Sequence, residues 1–144
     1  MRISLRPFIL GALAVPALSV VAAPAGAQGF PEFQEAPVTV APGCAGTVRA
    51  EAAVAPLPNG NRGLSLALMF TAEHPDPSCS LTGTASWRNV DTGADGATDI
   101  TVSSVPTPGR FETEHGYART QADTGPGTVV ITFSTNPGEV TLEV

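Results

Sequence analysis

From residue 48 onward, apolar side chains recur at every second position in short runs, and turn-forming segments separate the runs. A period of two puts alternate side chains on opposite faces of an extended chain, so each run buries one face and wets the other. Val48, Ala50, Ala52 and Val54 share a face, with Thr47, Arg49, Glu51 and Ala53 opposite. Leu64, Leu66, Leu68 and Phe70 form the next, and Cys79, Leu81, Gly83, Ala85 and Trp87 a third. Ile100, Val102 and Val105 mark a further strand, followed by Phe111, Thr113, His115 and Tyr117. Val129, Ile131 and Phe133 give the clearest late strand, and Val140, Leu142 and Val144 close the chain. No window after residue 27 carries the 3.6-residue period of an amphipathic helix.

The punctuation agrees with the alternation. Residues 57–63 contain Asn59-Gly60, a strong hairpin signal. Residues 73–77 form a polar, proline-rich loop, and 89–96, 106–109 and 123–127 carry turn residues. Asn136-Pro137-Gly138 suits a turn with proline second and glycine third. Seven or eight short strands with turns at this spacing predict a small antiparallel all-β sandwich over residues 47–144.

The first 27 residues have a different character. Arg2 and Arg6 precede the apolar run 8–15, and small residues end in Ala25-Gly26-Ala27. A positive start, a short apolar core and an A-x-A site form the pattern of a signal peptide, cleaved after Ala27. Gly11 and Pro16 interrupt the run, which falls short of the ~20 residues a spanning helix needs. No later segment is long and apolar enough to span a bilayer, so no integral membrane segment is expected in the mature chain. Residues 28–46, with Pro31, Pro37 and Pro42, read as an extended leader holding one edge strand at 37–40.

Cys44 and Cys79 are the only cysteines. In an exported chain such a pair reads as one structural disulfide. If the strand at 48–54 runs up and that at 64–71 runs down, both cysteines fall at the same end of the sandwich. Trp87, the single tryptophan, shares the Leu81/Ala85 face and is expected to anchor the core. In outline the chain resembles immunoglobulin-like sandwiches, which implies two facing sheets with loops gathered at their ends. Its details depart from antibody-type domains. Trp87 follows both cysteines instead of lying between them, and Arg119 stands two residues after Tyr117 where the tyrosine corner has a cysteine.

Three patterns bear on chemistry. Asp91-Thr92-Gly93-Ala94 resembles the signature of retroviral-type aspartic proteases, and Asp123-Thr124-Gly125 supplies a second copy. The resemblance implies an Asp91/Asp123 pair sharing a proton. The surroundings differ, because Ser86-Trp87-Arg88-Asn89 replaces the apolar strand before the loop, and no glycine follows Val129-Val130. Asp-Thr-Gly is also ordinary turn material. Asp91, Asp95 and Asp99 occupy positions 1, 5 and 9 of a calcium-type loop with Gly96 at 6. Gly93 and Val102 stand at positions 3 and 12, where ligands belong, so a plain turn is favoured. His74 and His115 are the only histidines, 41 positions apart, and no metal centre is expected from them.

Without the leader, five arginines and no lysine face 13 acidic residues, a net charge of −8. Such a surface repels phosphate backbones and anionic lipid, which argues against nucleic-acid binding. The reading that follows is a secreted or otherwise extracytoplasmic, non-catalytic module without a cofactor. Its expected role is binding or structural, at the bacterial envelope or in the medium, with an envelope or extracellular protein as partner. Contact regions are expected at the turn 58–62, the loop 74–77 and the turn 89–95. The alternative is a carrier of a small apolar ligand, since exported actinobacterial sandwiches that carry hydrophobic cargo are similar in size and acidity. A peptidase acting through Asp91 and Asp123 is the remote alternative.

Overall fold

In the computed structural model, which describes residues 33–106, 108 and 115–144, the alternation becomes two four-stranded sheets. The strands are β1 (Ala36–Ala41), β2 (Cys44–Pro56), β3 (Arg62–Ala72), β4 (Ser80–Asn89), β5 (Asp95–Ser103), β6 (Gly116–Ala122), β7 (Thr128–Phe133) and β8 (Asn136–Glu143). One sheet has the order β1-β2-β3-β6 and the other β5-β4-β7-β8. Every pairing is antiparallel. The described residues contain no helix, and none of them forms a span able to cross a membrane as a helix.

Period-two patterning decides what meets between the sheets. Val48 and Ala50 of β2, with Leu64, Leu66, Leu68 and Phe70 of β3, are fully buried. They belong to one cluster with Ala85, Val102, Val129 and Ile131 of the second sheet. Burying a leucine, isoleucine or phenylalanine side chain stabilises by roughly 1.5–3 kcal/mol, so β3 is the energetic centre of its sheet. The chain crosses between sheets three times, from β3 to β4, from β5 to β6 and from β6 to β7. Because β6 lies beside β3 and β7 beside β4, the first and last crossings interlock.

Several boundaries differ from the sequence reading. The expected start of the sandwich at residue 47 falls inside β2, and β1 occupies the stretch read as a leader, as the edge strand at 37–40 anticipates. Phe33 is buried and meets Phe133 edge-on, with ring centroids 5.0 Å apart. β5 begins at Asp95, well before Ile100, and its inner side starts with Gly96 and Thr98, which carry no apolar signal. The alternation of Phe111, Thr113, His115 and Tyr117 predicts Tyr117 on the inward face. Instead Ala118 pairs with Leu68 on that face, and Tyr117 pairs with Met69 on the outer one. Ser134 and Thr135 make the last turn, and Asn136-Pro137-Gly138 lies within β8. Residues 1–32, including the expected signal peptide, lie outside the described residues, as do Phe111 and Thr113.

Cys44 and Cys79 form the expected disulfide, with a Cα–Cα distance of 5.4 Å. It ties the first residue of β2 to the residue before β4, and so joins the two sheets at one end. Sheet edges are protected as well. Pro37 and Pro137 lie in the edge strands β1 and β8, where each removes a backbone donor. On the other flank the start of β6 lies against the end of β5 so closely that a Cβ on Gly116 would collide with the Ser103 carbonyl.

Candidate functional site

The antiparallel order sends β2, β4, β6 and β8 toward the end opposite the disulfide. Three connections therefore gather there: residues 57–61, 90–94 and 123–127. They are bound to one another through side chains. Asn89 is completely buried. Its Nδ2 donates to the carbonyls of Thr124 at 3.0 Å and Pro126 at 2.9 Å. Its Oδ1 accepts from the amides of Asp91 and Thr92, both at 3.1 Å. One amide side chain thus satisfies backbone groups of two loops that would otherwise be unpaired. A buried polar group is tolerated only when its partners are complete, and here they are. Asn59 Nδ2 adds a bond to Asp123 Oδ2 at 3.1 Å, which brings in the first loop. Gly127 and Val144 exchange two backbone bonds beside them.

Both Asp-Thr-Gly segments lie at this end, and their carboxylates have separate partners. Asp91 Oδ2 accepts from the Thr128 amide at 2.7 Å. Asp123 Oδ1 accepts from the Gly125 amide at 3.2 Å, while its other oxygen serves Asn59. Each aspartate thus braces a loop, as turn aspartates do. The hydrogen bonds of the two carboxylates lead to loop groups and not to one another, so the shared-proton arrangement is not formed. Beside Asp123 is a shallow recess of about 360 Å³ lined by Asn61, Arg62, Gly125, Pro126 and Val144.

The three aspartates of the calcium-type pattern are held apart. Asp95 pairs in register with Arg88, and Asp99 accepts from Thr84 Oγ1 at 2.7 Å on the outer face of β5. Four residue steps along the strand separate these two, about 13 Å at the usual rise, and Asp91 is engaged with Thr128. Among the described residues no three His, Cys, Asp or Glu side chains are grouped to hold a metal ion.

The loop 73–79 lies at the disulfide end, so the structure unites two of the three expected contact regions and sets the third apart. There His74, Pro75 and Asp76 border a recess of about 320 Å³ with Val40, Pro42 and both cysteines. Asp76 Oδ1 accepts from the Ser78 hydroxyl and from its amide. These bonds, the hydroxyl first, hold its carboxyl below the usual aspartate range. Ser104 ties the same loop to the end of β5, accepting from the Asp76 amide and donating to its carbonyl. His115 precedes β6, its Nδ1 3.1 Å from the Gly116 carbonyl.

Trp87 is half-buried and packs against the edge of the core. Its indole lies over Gly96, directly opposite on β5, where a Cβ would stand 2.7 Å from the ring. The residue that sequence reasoning missed is Asn89. Its signal was present, because position 89 continues the inward series 81, 83, 85 and 87. A polar amide on an apolar face needs partners, and the neighbouring turn supplies them.

Compared with known proteins, the chain matches no family, no curated protein and no solved structure.

Proposed function

We propose that this is an exported, non-catalytic module of immunoglobulin-like type that binds an envelope or extracellular protein through its Asn89-braced end. The observation that carries the reading is the joining of three loops by Asn89 and the Asn59–Asp123 bond. Loops held in one arrangement before contact lose less conformational freedom on binding. Loops on a rigid scaffold are also where recognition residues concentrate. Arg62, Asn61 and Asp123 give this end both signs of charge and several donors. The tethering of Asp91 and Asp123 to loop groups favours binding over peptidase chemistry.

Topology supports the immunoglobulin-like type. Taking β2 to β8 as strands A, B, C, C′, E, F and G yields sheets A-B-E and C′-C-F-G, the immunoglobulin order without strand D. β4 then corresponds to strand C, the strand that carries the tryptophan in antibody domains. The disulfide is compatible with an extracytoplasmic location, and the leader pattern of residues 1–27 points the same way.

The test is capture of partners from envelope and culture-fluid fractions on the disulfide-intact mature protein. Arg62→Glu is expected to release the partner, and His74→Ala at the far end to retain it. Loss with His74→Ala but not with Arg62→Glu would move the contact surface to the disulfide end. Bound apolar cargo in native mass spectrometry, with no captured protein, would replace this reading with the carrier.

A further inference from the structure

The loop 57–61 carries a second chemistry that needs no partner. Asn59 and Gly60 are both exposed, and Gly60 has φ +84°, a left-handed conformation that glycine adopts readily. With no side chain on Gly60, its backbone nitrogen is sterically open to the Asn59 side-chain carbonyl. Three hydrogen bonds restrain the reactants. Gly60 N–H donates to the Leu57 carbonyl at 3.0 Å, Asn59 Nδ2 donates to Asp123 Oδ2 at 3.1 Å, and Asn59 Oδ1 accepts from the Asn61 amide at 3.0 Å.

We propose that Asn59–Gly60 is a site of spontaneous deamidation gated by the bond from Asn59 to Asp123. The Gly60 nitrogen loses its proton to water or hydroxide and attacks Asn59 Cγ, forming a C–N bond. The Cγ–Nδ2 bond breaks, and the nitrogen takes up a proton and leaves as ammonia. The resulting succinimide is opened by one water molecule to aspartate or isoaspartate. No oxidant or enzyme is required. Asp123 opposes the reaction because its bond holds the Asn59 amide group in one orientation, so that Cγ cannot turn freely to meet the attacking nitrogen. It is also an acceptor on a nitrogen that must gain a proton. The product reverses the contact, since a carboxylate at position 59 faces Asp123 where a hydrogen bond had been, and like charges at that range repel. The first loop then loses its tie to the rest of the end.

Other asparagines are disfavoured by their surroundings. Asn136 precedes Pro137, which has no N–H to attack with. Asn89 is fully buried and precedes the β-branched Val90. Asn61 precedes Arg62, whose side chain crowds the nitrogen.

The experiment incubates the folded, disulfide-intact protein at mildly alkaline pH and follows aspartate and isoaspartate by peptide mapping. Wild type is expected to convert first at Asn59, and Asp123→Ala to convert several-fold faster there while Asn61 stays unchanged. Earlier conversion at another asparagine would overturn the site. An Asp123→Ala rate equal to wild type, or a parallel rise at Asn61, would overturn the gating, because a parallel rise marks general unfolding. The mimic Asn59→Asp is expected to speed amide exchange in residues 57–61, and unchanged exchange would refute the predicted loosening.

Discussion

The two ends of this sandwich are closed by different physics. At one end a covalent bond joins β2 to the entry of β4. At the other, the buried amide of Asn89 holds two loops through hydrogen bonds, and Asn59 adds the third. A disulfide acts chiefly on the unfolded chain, whose freedom it restricts wherever the native geometry lies. Asn89 acts only in the folded state, because its value depends on each donor and acceptor being in place. The first device stabilises the whole domain without shaping a surface. The second shapes a surface, and it fails locally when one member is removed.

The sharpest way to break this contrast is to delete both devices in turn. Replacing Cys44 and Cys79 together by serine opens a loop of 35 residues and should cost about 4 kcal/mol in chemical denaturation. Exchange at residues 57–61 should rise only in step with global unfolding. Asn89→Ala should cost about 3 kcal/mol, since it strands buried carbonyls and amides at roughly 1–3 kcal/mol each. Here exchange in 90–94 and 123–127 should rise ahead of the global transition. Uniform loss of protection in Asn89→Ala would show that the two ends are not independent. Asp91→Ala removes one exposed bond to Thr128 and should cost about 1 kcal/mol, measured by the same denaturation.

The smallest effect concerns pH at the disulfide end. The Asp76 carboxyl is held below its ordinary value by Ser78, so its folded form releases its proton more readily than the unfolded chain. That contribution is present above the unfolded value and disappears as pH falls through the folded one. Acidification below the usual aspartate range should therefore loosen residues 73–79 while the Asn89 end stays closed. Amide exchange of Ser78 against that of Thr92 across this window checks the difference.

How much of this was legible beforehand follows from where the period-two signal is strong. β2, β3 and β7 are two-faced strands with apolar residues on the core side, and their alternation can be read directly. The disulfide followed from strand direction and from cysteine count. β5 was half hidden, because an edge strand beneath an indole needs glycine and not an apolar residue at Gly96. β6 misled by parity, since its inward positions are Gly116, Ala118, Thr120 and Ala122, too small to outweigh Tyr117. The loop end was legible as turns but not as a unit. Asn89 meets Thr124 across 35 positions of sequence, a proximity that only the crossing from β6 to β7 creates. The two Asp-Thr-Gly copies are visible as a repeat, and the folded chain uses their carboxylates separately, Asp91 on the Thr128 amide and Asp123 on Gly125 and Asn59.

Phe33 has a practical bearing on how the protein is handled. It meets Phe133 of the opposite sheet, and its amide donates to the Ala50 carbonyl at 3.4 Å. A fragment begun at Thr47, where the alternation first becomes obvious, would lack this ring, the whole of β1 and one sulfur of the crosslink. It would also leave β2 as a bare edge with its outer row of amides open to any neighbouring chain. Aggregation of such a fragment would reflect where it was cut, and recombinant work on this domain should start at or before residue 33.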